Sequence, residues 1–225
     1  MILKDILQQK KQDLGQIFEF DLKTTSIFEF DFSVDNQELY SIDLSNTNEL
    51  DNYVNKKLSE SDADIGIGGY MENRLIYKRS SHFGTGENAR SIHLGVDIWC
   101  PANSPIFAFT DSKIHSFQIN DNFGDYGPTI ILEHQLENTT FYTLYGHLSL
   151  SSLNNLYEGK IIPKGEKFAE IGNKTENGKW PSHLHFQIIT DLMGKKGDFF
   201  GVCSLKEKEK FKIICPNPNL ILNYG

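Results

Sequence analysis

Ser182-His183-Leu184-His185-Phe186-Gln187, in the last third of the chain, sets two imidazoles two positions apart among apolar residues. On an extended strand, side chains two apart share a face, so His183 and His185 project together. Two imidazoles aimed at one point suggest a metal. Upstream, His93-Leu94-Gly95-Val96-Asp97 adds an imidazole and a carboxylate four positions apart, with a glycine between them that adds no side chain to crowd an ion.

Imidazole and carboxylate together suit a borderline cation, whereas calcium or magnesium takes a cluster of oxygens. Zinc is the expected ion. Three protein ligands leave a fourth position for water, whose pKa a catalytic zinc lowers to about 7. If His185 completes the shell with His93 and Asp97, His183 stands one strand repeat away and can serve as general base. His147, in Tyr145-Gly146-His147-Leu148, closes an apolar and aromatic run where a strand delivers a polar side chain to a cleft rim. Its assigned part is transition-state stabilisation. An HxH triplet arises easily by chance, and a lone strand histidine is more often structural. The combination and order of these motifs carry the reading.

The runs HLGVDIW at 93–99, PANSPIFA at 101–108, TLYGHLS at 143–149 and GKWPSHLHFQI at 178–188 resemble, in sequence and spacing, the lysostaphin-type zinc endopeptidases. That family cuts peptide cross-links in bacterial cell walls. The resemblance covers about residues 80–192 and implies that His93, Asp97 and His185 bind Zn2+ while His147 and His183 form the catalytic pair. It implies a mainly β fold with minor α: an antiparallel β-sheet core of the duplicated hybrid-motif, barrel-sandwich-like kind. It further implies a peptidase whose substrate is a peptide or a muropeptide from peptidoglycan. No HExxH helix is present, so a glutamate base has no candidate. Arg90, Tyr145 and Trp180 are the further candidates for substrate contact, Arg90 because its planar fork fits a carboxylate. Residues 69–99 bear a fainter resemblance to the peptidase-like middle segment of intracellular fusion proteins that also carry a phosphotransferase and an aminotransferase.

Composition bounds these expectations. The chain has 225 residues, 39% of them hydrophobic, enough for one packed domain and an attached segment. A formal charge of −8 disfavours nucleic acid as a partner and differs from the basic surface expected of an enzyme that clings to anionic wall polymers. The N-terminal run MILKDILQQKK has helical apolar spacing but too many charges for the hydrophobic core of a signal peptide. No stretch is apolar over the roughly 18 residues that a membrane span needs. Cys100, Cys203 and Cys215 cannot all pair within one chain and form no CxxC, so reduced thiols are expected. A cytoplasmic location follows as the expectation, or an extracytoplasmic one if a leader has been removed. In the cytosol, recycled muropeptides, small peptides or an amide-bearing metabolite replace mature wall as substrate. Oligomeric state leaves no mark in the sequence.

Three segments are expected: an N-terminal α+β segment at 1–80, the zinc peptidase-like core at 81–195, and a partly helical tail at 196–225 that packs on it. IFEFDL, SIFEFDFS and ELYSIDL, within residues 17–44, alternate at period two and read as strands, and residues 46–59 read as a helix capped by Asn46 or Thr47. Glu72 and Arg74 read as residues of the cleft entrance or, more commonly for such a pair, as a surface ion pair. Core strands are expected near 105–109, 113–119, 129–134, 140–145, 167–171 and 183–189. Loops at 120–128 and 173–181 are placed to wall a groove. Two alternatives stand beside the hydrolase: a noncatalytic lysostaphin-like binding or regulatory module, and a structural zinc with Cys100 as fourth ligand.

Overall fold

The computed structural model describes residues 2–86 and 89–225, so Met1 of the N-terminal run lies outside it. The strands are β1 (Ile27–Phe30), β2 (Ile65–Gly68), β3 (Arg90–His93), β4 (Val96–Trp99), β5 (Pro105–Phe107), β6 (Ser112–Asn120), β7 (Gly127–Leu136), β8 (Thr139–Gly146), β9 (Ile161–Ile162), β10 (Lys167–Glu170), β11 (His183–Ile189) and β12 (Val202–Ser204). The helices are α1 (Leu3–Gln9), α2 (Thr47–Ser61), α3 (Lys208–Ile214) and α4 (Asn219–Leu222). The protein is therefore mainly β with minor α. Eight strands form one sheet in the order β1-β2-β4-β11-β8-β7-β6-β9, and β5–β10 and β3–β12 form two-stranded ribbons. The sheet stays open at β1 and β9, so no closed barrel forms among the described residues.

Pairing in the large sheet is antiparallel except between β1 and β2. A parallel pair needs a crossover, and α2 supplies it. That helix starts where Asn46 accepts a bond from Asn48 N–H, and it ends at Asp62 in the left-handed conformation. Of the three strands expected at 17–44, only Ile27–Phe30 forms one. Phe18 stacks on Phe20 at 4.8 Å within bends, and Asn36 caps a 3-10 turn at Gln37–Ser41. Strands β1 and β2 extend the same sheet as β4, and Leu3, Leu7, Ile17 and Phe18 join the core beneath it.

β11 lies at the centre and is buried along its whole length. Its two faces do different work. Leu184, Phe186 and Ile188 enter a core with Val96, Ile98 and Ile130, each burial stabilising the fold by about 1.5–3 kcal/mol. His183, His185 and Gln187 face the other side, where Trp99, Tyr77 and Trp180 form a second apolar cluster. The tail packs through Phe211 and Cys215 against Ile92, Leu94 and Phe199.

Candidate metal centre

Strand register builds the site. β11 runs antiparallel to β4 with His185 opposite Asp97 and His183 opposite Trp99, so alternation puts all four side chains on one face. On its other edge His185 faces Gly146 of β8, and the chain leaves that strand at His147, whose φ of 62° is left-handed. A non-glycine residue there is uncommon, and such strain concentrates at functional sites. β3 carries His93, and the step to β4 passes Gly95. A Cβ there would lie 2.6 Å from His185 Cε1, so the glycine makes room for the ligand ring.

The imidazole tautomers follow from their fixed partners. His93 Nδ1–H donates to the Gly69 carbonyl at 2.9 Å, which leaves Nε2 with a lone pair. Gln187 donates through Nε2 to the Phe200 carbonyl and Cys215 Sγ, so its Oε1 accepts from His185 Nε2–H at 3.0 Å. His185 Nδ1 is thus also a lone pair. Nε2 of His93 stands 3.2 Å from Asp97 Oδ1, and His185 Nδ1 stands 3.0 Å from each of them. Three acceptors converge with no proton to share. Their spacing is close to the edge of about 3.3 Å expected for tetrahedral ligands at zinc–ligand bonds of about 2.0–2.1 Å. The residues fit zinc, with the fixed outer nitrogens giving each ring the orienting partner that metal-bound histidines usually have.

The remaining two histidines share this arrangement. His183 Nδ1–H donates to the Pro181 carbonyl at 2.7 Å, and His147 Nδ1–H donates to the Asn177 carbonyl at 2.8 Å. Their rings lie 4.2 Å apart, and His183 stacks on Trp99 at 5.2 Å. Nε2 of His183 is 3.9 Å from Asp97 Oδ1. Burial lowers His183 to about 4, and burial with the Arg74 charge lowers His93 to about 4. Burial and the His183 charge hold His147 well below its ordinary value. For Asp97, burial opposes ionisation but His93, Arg74 and the hydrogen bonds prevail, so its carboxyl stays far below the usual range.

Arg74 corrects the surface ion pair expected from sequence. It is 1% exposed, bonds Asp97 Oδ2 through Nη1, and donates from Nε to Glu72 Oε2 at 2.6 Å. Its guanidinium also lies over the rings of Phe32 and Tyr77. Asp97 thereby gives one oxygen to the imidazoles and the other to a buried cation.

The cleft above the centre is lined by Tyr77, Phe83, Arg90, Tyr126, Trp180 and Phe200, among others. Arg90 and Trp180 border it. Tyr145 does not. It pairs with Phe186 across β8 and β11, and cross-strand partners share a face, so its ring packs in the core against Phe168 and its hydroxyl meets Thr143. Tyr126 stands in the cleft instead, 3.4 Å from His185 Nε2, where only a glycine at 201 leaves room for its hydroxyl. Cys100 turns into the core and bonds the Ile98 carbonyl, away from the ligands. Gln187 carried a legible signal, since it shares the period-two face of His183 and His185; Tyr77 and Tyr126 carried none.

An open mainly β sheet that gathers two histidines and a carboxylate on one face, with two further histidines beside them, defines a metallopeptidase-like architecture. Residues 91–198 match the profile of peptidase family M23. That segment, just under half of the chain, is similar to the M23 peptidases. Among solved structures, a zinc-containing peptidase from Vibrio cholerae is 26% identical with a TM-score of 0.35, over 44% of this chain and 27% of that one. A peptidase M23 protein from Pseudomonas aeruginosa is 20% identical with a TM-score of 0.38, over 59% and 44%. The catalytic domain of lysostaphin from Staphylococcus simulans is 21% identical with a TM-score of 0.36, over 54% and 80%. The match spans about a quarter of the first of these chains and under half of the second. No curated protein matches the chain. No helix among the described residues is long and apolar enough to cross a membrane.

Proposed function

We propose that the protein is a zinc-dependent hydrolase that splits a peptide or amide bond with water, holding the ion through His93, Asp97 and His185. The observation that carries this is the meeting of three unprotonated donor atoms within 3.0–3.2 Å, each aligned by a partner on its far side. A zinc held there would supply Lewis-acid polarisation of a scissile carbonyl and would lower the pKa of a bound water to about 7.

His183 is the general base in this reading. Its Nδ1–H is committed to Pro181, so Nε2 faces the reaction with a lone pair, and burial keeps the ring neutral at pH 7. The proton it takes goes on to the leaving amine. His147, with Nδ1 committed to Asn177, offers a second lone pair at Nε2 that accepts from the water and orients it; a donor role toward the oxyanion would need a proton there, which burial disfavours. Trp99 holds the His183 ring flat against its own. The substrate is a peptide, either of the peptidoglycan type or a small peptide of the cytosol.

The test is metal content of the untagged protein by mass spectrometry, with cleavage of peptides and muropeptides before and after chelation. About one zinc per chain and chelator-sensitive cleavage are expected. A protein that takes up no zinc even when it is supplied would be a binding module, and the reading would fail.

A further inference from the structure

The centre is deep. His93, Asp97, His147, His183 and His185 are each at most 5% exposed. Much of the wall above them comes from chain outside the family match: Ile76, Tyr77 and Phe83 before it, and Phe199 to Val202 after it. A slender chain end reaches such a floor more readily than the middle of a cross-linked polymer.

Two cations border the same cleft. Arg90 leaves β3 over the ring of Phe83 at 5.7 Å, and its Nη2 donates to the His82 carbonyl. Lys195 lies over Phe200 at 4.4 Å, and both cations with Phe200 also line the adjoining depression. The carboxylates of the cleft are already engaged. Asp97 is held by Arg74, Asp125 accepts from Tyr126 N–H at 2.8 Å and from Asn122 Nδ2 at 3.1 Å, and Asp198 lies 3.5 Å from Lys195. Among the described residues, the Arg90 guanidinium meets no carboxylate. It is a planar fork beside an aromatic wall, a geometry suited to a carboxylate joined to an apolar body.

We propose that the cleft receives the free C-terminal end of a short peptide, its terminal carboxylate bound by Arg90 with help from Lys195 and its apolar side chains against Tyr77, Phe83 and Phe200. This rests on the peptidase reading and narrows it to substrates with a free chain end. The reaction is hydrolysis: the C–N bond near that end breaks, the acyl carbon gains the hydroxyl of water, and the amine gains the proton.

The experiment compares matched tri- and tetrapeptides as C-terminal acids and C-terminal amides, the amide set including one with a glutamate side chain. Binding to the zinc-loaded full chain is read by calorimetry, which needs no turnover. Acids are expected to bind roughly tenfold to a hundredfold tighter than amides, the range of a charge-assisted bond. Arg90→Met should erase that preference by weakening acids far more than amides, and Arg90→Lys should restore part of it. Lys195→Met should weaken acids less. Equal binding of acids and amides, binding of neither at millimolar concentration, or equal weakening of both by Arg90→Met would overturn the proposal. An amide with a glutamate side chain that binds as tightly as the acids would overturn the terminal assignment. Loss of zinc binding or of chelator-sensitive cleavage in the wild type sinks the peptidase reading instead.

Discussion

Two groups of buried histidine occupy this molecule, and they differ in what their second nitrogen meets. His134, on β7, is 1% exposed, bonds Thr143 Oγ1 through Nε2 at 2.6 Å, and stacks on Phe141. Its Nδ1 is buried without a partner. At the centre, His93 and His185 also spend one nitrogen on a fixed acceptor, but the other points at Asp97. Burial lowers the basicity of His134 and of His93 alike, so a depressed pKa does not separate the two places. A lone pair aimed at a buried carboxylate oxygen does: left to themselves the two repel, and a cation between them removes the conflict.

Removing a convergent donor should have the largest effect. Zinc affinities of about 10–16 kcal/mol over four ligands put one ligand near 3 kcal/mol. His93→Ala and Asp97→Ala should each weaken zinc binding by roughly a hundredfold or more, read by competition with a chromophoric chelator, and abolish hydrolysis. His183→Ala should keep the zinc and lose about a hundredfold to ten-thousandfold in kcat. Equal metal loss in all three variants would collapse the distinction between ligand and base.

Arg74 sharpens the contrast further, because His134 has no counterpart to it. Arg74→Gln keeps a donor for Asp97 but removes the charge and the grip on Glu72. Zinc affinity should fall about tenfold to a hundredfold, as for other partners of metal ligands, and Arg74→Lys should lie between the variant and the wild type. Unchanged affinity in both variants would mean that Arg74 serves only the fold. Because one oxygen of Asp97 would be left facing a neutral amide in a buried site, a thermal melt on each variant separates loss of position from loss of fold.

The sequence made the sheet and the motifs legible for the same reason. β11 spans His183–Ile189, and its period-two pattern names both the core face and the site face. The strands at 105–107, 112–120, 127–136, 139–146 and 167–170 lie within a few residues of where β-branched and aromatic runs put them. What failed was non-local. IFEFDL alternates as well as SIFEFDFS does, yet only the latter finds a neighbour, β2, to complete its backbone bonds. Arg74 sits 23 residues before Asp97, and no pattern in one chain announces that such a pair will be buried together. Tyr145, beside the histidine motif, read as a cleft residue because its neighbour His147 is one; the strand's alternation and its pairing with Phe186 send it to the core.

The smallest effect expected belongs to His134. Burial lowers it from an ordinary value near 6.5 to about 3, opposed only in part by the nearby Asp111 backbone, which makes no hydrogen bond to the ring. Between those values the unfolded chain binds a proton that the folded chain refuses, so this histidine's contribution is complete above pH 6.5 and is lost as the pH falls toward 3. The loss is about 1.4 kcal/mol for each pH unit in that window. His134→Leu removes the titrating group and its bond to Thr143, whose hydroxyl still reaches Tyr145 at 3.2 Å. The variant should be about 1 kcal/mol less stable at pH 7.5. Because the substitution leaves the centre unchanged, the difference between the two melting curves isolates His134. That difference should shrink and then reverse as the pH falls from 6.5 to 4.5, with zinc affinity at pH 7.5 unchanged. Parallel curves would mean that the unpartnered Nδ1 accepts a proton in the folded state, and the contrast between the two groups of histidines would then lose its physical basis.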